Sequence, residues 1–181
     1  MIYLDHHSTT PLDPVVLEEM MPYMTERFGN PSSMDHSYGY DASVAVEEAR
    51  GRVAALVGAR HDEIIFTSGA TESDNLALVG VARRYADRGD HIITCATEHK
   101  AVLDTAAYLE RTGRRVTYVP VDRFGMVDMD ILEGAITPQT VLVSVMAANN
   151  EVGTIPDIRF DSQLAVGCPP ACLRPNLGHS G

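Results

Sequence analysis

The stretch HIITCATEHKAVLDTAAYLERTGRRVTYVPV, residues 91–121, decides the fold. HIITCA (91–96) and RVTYVPV (115–121) are short runs rich in apolar and β-branched residues, which is typical of buried strands. Between them, KAVLDTAAYLERTG (100–113) places apolar residues at helical spacing and ends in a glycine. A strand, a helix and a second strand in this order predict a parallel pair of strands joined by a crossover helix.

The same alternation continues on both sides of this stretch. The patterns predict helices at about 12–28, 38–57, 71–87 and 129–136, and strands at 63–68 and 140–147. The chain is therefore expected to have an α/β fold with a mainly parallel sheet flanked by helices. We expect residues 1–158 to form part of one large domain. Residues 159–181 are expected to be an irregular tail, because they contain three prolines and no helical or strand periodicity.

Composition excludes several classes of partner. The net charge is −11, from 25 acidic and 14 basic residues, and no basic stripe is present that could neutralise phosphates of a nucleic acid. No apolar run is long enough to span a bilayer, and the first residues do not resemble a secretion leader. The three cysteines are an odd number, which favours free thiols in the cytoplasm. CPPAC (168–172) lacks a second pair of ligands at zinc-site spacing, so no metal is expected.

The segment FTSGATESDNLAL (66–78) has the chemistry of a phosphate site. A predicted strand ends at Ser68, Gly69 permits a tight turn, and a helix starts near Thr71. The N–H groups and the dipole at a helix N-terminus favour an anion, and Ser68, Thr71 and Ser73 add hydroxyl donors. A plain capped helix is the alternative interpretation, since neither a GK[ST] nor a GxGxxG pattern is present.

Two more polar clusters follow predicted strands. His99 comes after the strand at 91–96, where its imidazole could stack on a flat ring, move protons or simply cap a helix. AANNEVGT (147–154) follows the strand at 140–147 and offers the amides of Asn149 and Asn150 and the carboxylate of Glu151. Because ligands bind at the carboxyl edge of open parallel sheets, we expect the three clusters to converge on one crevice.

Together these segments resemble the amino-terminal part of a cysteine desulfurase, a pyridoxal-phosphate (PLP) enzyme of the class V aminotransferase group with the fold-type I architecture. The resemblance is carried by YLDHHSTTPLDP, FGNPSS followed by His36, EIIFTSGATESDNLAL, HIITCATEHKAVLD, VTYVPVDRFGMVD and AANNEVGT, in this order. It extends from Ile2 to about Ile158 and covers most of the chain.

The resemblance implies a role for each matching residue. Ala70 and Thr71 would bind the cofactor phosphate, His99 would stack on the pyridine ring and help to move protons, and Asn150 would contact the cofactor hydroxyl or the substrate. The implied reaction removes sulfur from L-cysteine as a persulfide on a mobile cysteine, leaving alanine, with PLP as electron sink. The implied partners are sulfur-acceptor or scaffold proteins and a second copy of the chain, since the family is typically homodimeric.

Two catalytic groups of the family have no counterpart at matching positions. The Schiff-base lysine of the family lies in a later His-Lys pair, whereas Lys100, the only lysine here, aligns with the residue after the stacking histidine. The sulfur-accepting cysteine belongs to a carboxy-terminal domain, and Cys95, Cys168 and Cys172 do not match it. We therefore expect this chain to be inactive alone.

FDSQLAVG (160–167) partly resembles the family motif whose aspartate pairs with the pyridine nitrogen. Asp161 keeps the spacing, but Leu164 stands where glutamine is expected, so either an internal deletion or chance explains the match. Two further functions stay open: another class V aminotransferase or lyase, and a non-catalytic module that binds PLP, another phosphorylated ligand or a partner protein. The sequence leaves open whether the chain is a natural truncation, a frameshift product or half of a split enzyme.

Overall fold

The computed structural model describes residues 2–6 and 8–156, which divide between Phe66 and Thr67 into two compact units. The amino-terminal unit is helical. The second unit contains a three-stranded sheet with helices. The elements are α1 Pro14–Thr25, α2 Ser37–Val57, a 3₁₀ turn His61–Glu63, α3 Ala70–Arg84, β1 His91–Cys95, α4 Lys100–Arg111, β2 Arg115–Val119, α5 Met129–Ala135 and β3 Thr140–Ser144.

The sheet of the second unit is parallel and has the order β2-β1-β3. β1 pairs with β2 in continuous register, from His91 opposite Arg115 to Cys95 opposite Val119. Its register with β3 shifts by one residue between His91 and Ile92. The prediction of an α/β fold with a parallel sheet flanked by helices is therefore confirmed.

The central strand β1 is buried along its whole length because helices cover both faces of the sheet. One apolar cluster joins Ile92 to α3 and α4 through Leu78 and Leu109. The cluster on the other face joins Ile93 to Leu132 of α5. Such two-sided burial explains why the strand reads as a continuous apolar run rather than an alternating one.

His91 connects all three strands at the amino end of the sheet. Its Nδ1 lies 2.8 Å from the hydroxyl of Thr140 on β3, and its Nε2 lies 2.8 Å from the hydroxyl of Thr117 on β2. The residue is only 4% exposed. Burial, with a smaller contribution from the charge of Arg115, lowers the pKa of His91 below its usual value.

The amino-terminal unit follows the helix signals of its sequence. Asp13 caps α1 by accepting a hydrogen bond from the N–H of Val15, and Gly58 ends α2 in the left-handed conformation. Gly39 of α2 lies against the chain at Ser33, where a Cβ would stand 1.7 Å from the carbonyl oxygen. Only glycine allows this close approach.

The predicted element boundaries require some corrections. The strand predicted at 63–68 is wrong: the 3₁₀ turn ends at Glu63, and the residues after it pair with no strand in the described part of the chain. Ile64 nevertheless has extended dihedral angles, so the apolar, β-rich sequence predicts the local conformation without the pairing. α1 continues through Pro22 and ends at Thr25, earlier than predicted.

The predicted tail, 159–181, lies outside the described residues, and so do Asp161, Leu164, Cys168 and Cys172. The extent of the large domain, 1–158, stays a prediction. Among the described residues, no helix is both long enough and apolar enough to cross a membrane. The described residues also contain no group of three or more side chains suited to hold a metal ion.

Candidate functional site

The turn from β1 to α4 presents His99 at the start of a helix. His99 is the N-cap of α4, and its Nδ1 accepts a hydrogen bond from the N–H of Ala101 at 3.1 Å. This geometry assigns the proton of the neutral ring to Nε2. The capping role considered for His99 is thus observed. Because the imidazole remains exposed, one residue could cap the helix and also present a ring to a ligand.

Lys100, the residue after His99, forms an ion pair along α4. Its Nζ donates a hydrogen bond to Oδ2 of Asp104 at 2.6 Å, one turn further along α4, and the lysine side chain is 80% exposed. The ammonium therefore lies on the outer surface of the helix, in an ion pair of the common i,i+4 type. This ion pair directs the amine along α4 to Asp104, whereas a Schiff-base lysine would have to reach the ring beside His99.

Glu98, directly before His99, is buried and joins this turn to the segment after β3. Its Oε1 accepts a hydrogen bond from the N–H of Met146 at 2.6 Å, and the residue is 7% exposed. Burial raises the pKa of the Glu98 carboxyl, while hydrogen bonds from the backbone N–H groups of Met146 and His99 act in the opposite direction. Sequence reasoning missed this residue. The available signal was a carboxylate placed immediately after an apolar strand.

The segment after β3 contains two asparagines with different environments. Asn149 is buried, and its Oδ1 accepts hydrogen bonds from the N–H groups of Glu151 and Val152, at 2.9 and 3.0 Å. Its Nδ2 donates to the carbonyl of Thr97 at 3.1 Å. The Asn149 amide therefore holds the turn together. Asn150 is exposed, so its amide is the one that a ligand can reach.

The third part of the site is the N-terminus of α3, with Gly69 as its N-cap. Ser73 donates the first helical hydrogen bond, to the carbonyl of Gly69. The N–H groups of Ala70, Thr71 and Glu72 precede it and have no acceptor within the described residues. Three N–H groups at the positive end of a helix suit an anion such as a phosphate.

The hydroxyl groups at this terminus are not all available. Glu72 accepts hydrogen bonds from the N–H and the hydroxyl of Ser68, at 2.6 and 2.7 Å, and these bonds lower the pKa of its carboxyl. Ser73 pairs with Thr67 at 2.7 Å between hydroxyl oxygens. The expectation that Ser68 supplies a hydroxyl donor to a ligand is therefore wrong for this conformation, because the Glu72 carboxylate already uses it. Thr71 keeps its hydroxyl for a ligand.

Asn75 connects the N-terminus of α3 to α4. Its Nδ2 donates to the carbonyl of Thr71 at 2.7 Å, and its Oδ1 accepts from the hydroxyl of Thr105 at 2.9 Å. Thr105 is buried one turn beyond Ala101, whose carbonyl it also contacts. Hydrogen bonds thus connect α3 to α4 through Asn75 and Thr105, and connect the turn before His99 to the segment after β3 through Glu98 and Asn149.

This donor set fits a phosphorylated compound with a flat ring. Ala70 and Thr71 supply N–H groups and one hydroxyl, His99 supplies an exposed aromatic ring, and Asn150 supplies an exposed amide. The sequence predicts that each of these clusters follows a strand. That holds for His99 and Asn150 but not for α3, whose preceding segment is unpaired.

Comparison with known proteins connects this geometry to a family. The aminotransferase class-V family model matches residues 2–164. The cysteine desulfurase IscS of Rickettsia bellii (strain OSU 85-389) is 56% identical over 158 residues, which are 87% of this chain and 38% of that protein. The corresponding protein of Rickettsia felis (strain ATCC VR-1525 / URRWXCal2) is 55% identical over the same length and shares.

Solved structures agree with the sequence relatives. A NifS-like protein superposes with a TM-score of 0.86 at 44% identity, covering 95% of this chain and 47% of its own. A structure described as SspA in complex with cysteine gives a TM-score of 0.82 at 39% identity, covering 90% of this chain and 47% of its own. The chain thus spans less than half the length of these relatives. It belongs to the aminotransferase class-V family, a PLP-dependent family in which the relatives named here include cysteine desulfurases.

Proposed function

We propose that this chain is the cofactor-phosphate and ring-binding part of a PLP-dependent cysteine desulfurase. The observation that carries the proposal is the linked set formed by the α3 terminus, the His99 turn and the Asn150 turn in one compact unit. The family match at 56% identity to a cysteine desulfurase supports the same assignment.

Each residue of the set has a distinct task in this proposal. Ala70 and Thr71 bind the phosphate through their N–H groups, and the Thr71 hydroxyl adds one hydrogen bond. His99 covers one face of the pyridine ring, and its Nε2 proton can be donated to a group above that ring. Asn150 donates to the ring hydroxyl or to the substrate. Bound PLP supplies an electron sink for chemistry at an amino-acid substrate.

The whole reaction requires groups beyond this set. The only lysine is paired with Asp104 on the outer surface of α4, and Cys95 is buried at 1% exposure. We therefore propose that this chain binds PLP without a covalent bond and does not desulfurate cysteine by itself. In the complete assembly, L-cysteine is the substrate, a sulfur-acceptor or scaffold protein receives the sulfur, and a second copy of the chain completes a homodimer.

PLP binding to the purified chain tests the proposal. We expect saturable binding by equilibrium dialysis, competition by inorganic phosphate, and about tenfold weaker binding of PLP by T71A, because one hydrogen bond to the phosphate is lost. T112A is the matched control, since Thr112 lies at the far end of α4, where its hydroxyl donates to the carbonyl of Leu109. Equal affinity of T71A and the parent chain would contradict the assignment of Thr71.

Borohydride reduction tests the non-covalent character. We expect no PLP label on Lys100 in a peptide map after reduction, and no sulfide release from added L-cysteine. Label on Lys100 together with sulfide release would overturn the assignment. A chain that binds PLP and phosphate equally well, with no effect of H99A, would instead favour a simple phosphate-binding module.

A further inference from the structure

Glu98 is the buried ionisable side chain closest in sequence to His99, and no contact with a ligand is assigned to it above. A carboxylate at 7% exposure carries a large desolvation cost unless its oxygens accept hydrogen bonds. Its Oε1 accepts one from the N–H of Met146, a residue 48 positions away in the sequence. The desolvation cost of the carboxylate and the large sequence separation of the two residues both indicate that this contact does more than pack the side chain locally.

The contact crosses between the two turns that carry ligand-facing residues. Glu98 precedes His99 directly, and Met146 lies four residues before Asn150. A second hydrogen bond connects the same two turns, from Nδ2 of Asn149 to the carbonyl of Thr97. Each turn therefore contributes one side chain that holds the backbone of the other, in the residues adjacent to His99 and Asn150.

Two neighbouring side chains act in opposite directions on the ionisation of Glu98. The carboxylate of Asp74 on α3 disfavours its ionised form, and His99 favours it. A hydrogen bond to a charged acceptor is stronger than one to a neutral acceptor, so the Met146 contact is the main compensation for burial. Removing the acceptor takes from the half-buried Met146 N–H the partner that it has in this structure.

We propose that Glu98 is a positioning residue, whose hydrogen bond to Met146 fixes the place of His99 relative to Asn150 and so prepares the site for the cofactor. The inference rests on the proposed PLP-binding function. It is distinct from that function because Glu98 is assigned no contact with the ligand.

Three variants at this position separate the hydrogen bond from the charge. E98Q keeps the length and an acceptor oxygen but removes the charge. E98D keeps the charge but is one methylene too short to reach Met146, and E98A removes both. The Asn149–Thr97 contact remains in all three, so the unit keeps one connection between the turns. E133A on α5 is the control, because Glu133 is an exposed glutamate of the same unit.

Two measurements are made on the full chain. The first is amide hydrogen exchange of peptides that contain Met146, without PLP. The second is PLP affinity by dialysis, with the induced circular dichroism of the bound cofactor. For E98A and E98D we expect exchange about tenfold faster at Met146, PLP affinity about tenfold lower and a reduced dichroic band. E133A should resemble the parent chain in exchange, affinity and dichroism, and E98Q should lie closer to the parent than to E98A, because it keeps an acceptor oxygen for Met146.

The outcomes are distinguishable. If E98A and E98D bind PLP like the parent chain, or leave exchange at Met146 unchanged, the positioning role is wrong. If E98Q behaves like E98A, the charge matters instead of the hydrogen bond, and the inference is also wrong. If the parent chain binds no PLP, the proposed function fails, and the exchange data still decide whether Glu98 holds the two turns together.

Discussion

At the scale of single residues, His99 joins an observed role as the cap of α4 to the proposed role of ring contact for the cofactor. Its Nδ1 caps α4 through the N–H of Ala101, and its ring stays exposed. The two tasks depend on different parts of the side chain. Substitutions can therefore separate them, because asparagine is a good N-cap but has no aromatic ring.

We expect H99N to keep the stability of the parent chain and to bind PLP more weakly, by roughly two- to tenfold, because the ring contact is lost. H99A should lose the same affinity and also about 1 kcal/mol of unfolding free energy, since the cap is lost. Urea denaturation followed by circular dichroism measures the stability, and dialysis measures the affinity. Full PLP affinity in H99N would show that the ring makes no contact with the cofactor.

The raised pKa of Glu98 predicts how the free energy of unfolding depends on pH. Because burial raises the pKa of its carboxyl above the ordinary value of 4.5, the folded chain binds this proton more tightly than the unfolded chain. The Glu98 contribution therefore lowers the unfolding free energy as pH rises from 4.5 through the raised pKa. His91 acts in the opposite direction up to pH 6.5, since its pKa is lowered on folding.

The variant E98Q isolates the Glu98 contribution, because His91 is present in both chains. We expect the stability of E98Q relative to the parent to increase with pH over this interval and then to become constant. The measurement is a series of urea denaturations between pH 4 and pH 8. A difference that is flat from the lowest pH upward would show that the Glu98 pKa is not raised.

At the scale of elements, the sequence predicts best where the local signals suffice. The strand, helix and strand at 91–121 appear as β1, α4 and β2 with end points within two residues of prediction, because apolar runs, a cap and Gly113 all act locally. The segment 63–68 fails because a strand requires a partner, and pairing is a property of the tertiary structure. Ser68 fails for a similar reason: its hydroxyl suits a ligand, but only the structure reveals that Glu72 already accepts from it.

The site was predictable in its parts but not in its connections. Thr71, His99 and Asn150 stand out as polar residues at helix starts and strand ends, and the family resemblance adds Ala70 and implies a role for each. Glu98, Asn75 and Asn149 make the contacts that link these parts. Contacts over 30 to 52 residues leave no periodic pattern in a single sequence.

Helix α2 offers a test of its close approach to the preceding loop. In G39A, the added Cβ would stand 1.7 Å from the carbonyl oxygen of Ser33, so the helix or the loop must shift. We expect a loss of about 1–3 kcal/mol in unfolding free energy. G51A in the same helix is the matched control, because its Cβ meets only the His61 ring at 3.9 Å, and it should gain up to about 1 kcal/mol from helix propensity. A loss in G51A equal to that in G39A would contradict the steric explanation.

At the scale of the whole molecule, the amino-terminal unit exposes much apolar surface. None of the residues of α1, all of which the structure describes, is buried. A groove of about 550 Å³ beside α1 and α2 is lined largely by apolar side chains, among them Val15 and Met20. Leu56 of α2 is 85% exposed. Apolar patches of this kind favour association.

We expect the purified chain to bind a hydrophobic dye strongly and to show an apparent mass that increases with concentration in sedimentation. L56E should lower both effects without loss of helix content, because the side chain is already in water. L78E is the contrasting variant: Leu78 is 2% exposed in the core, and a charge there should unfold the sheet unit. A parent chain that stays monomeric and dye-free would contradict this prediction.

The contacts of His91 have a consequence for the order of folding. β1 comes first in the sequence but lies in the middle of the sheet, and His91 meets a partner 26 residues away on β2 and another 49 residues away on β3. Closing the longer loop costs more chain entropy, so β1, α4 and β2 can assemble before β3 joins them. Met146 and Asn150 arrive only with β3. In that order the candidate site would be complete only once β3 has joined the sheet, and detachment of β3 alone would separate Met146 and Asn150 from the His99 turn while β1, α4 and β2 stay together.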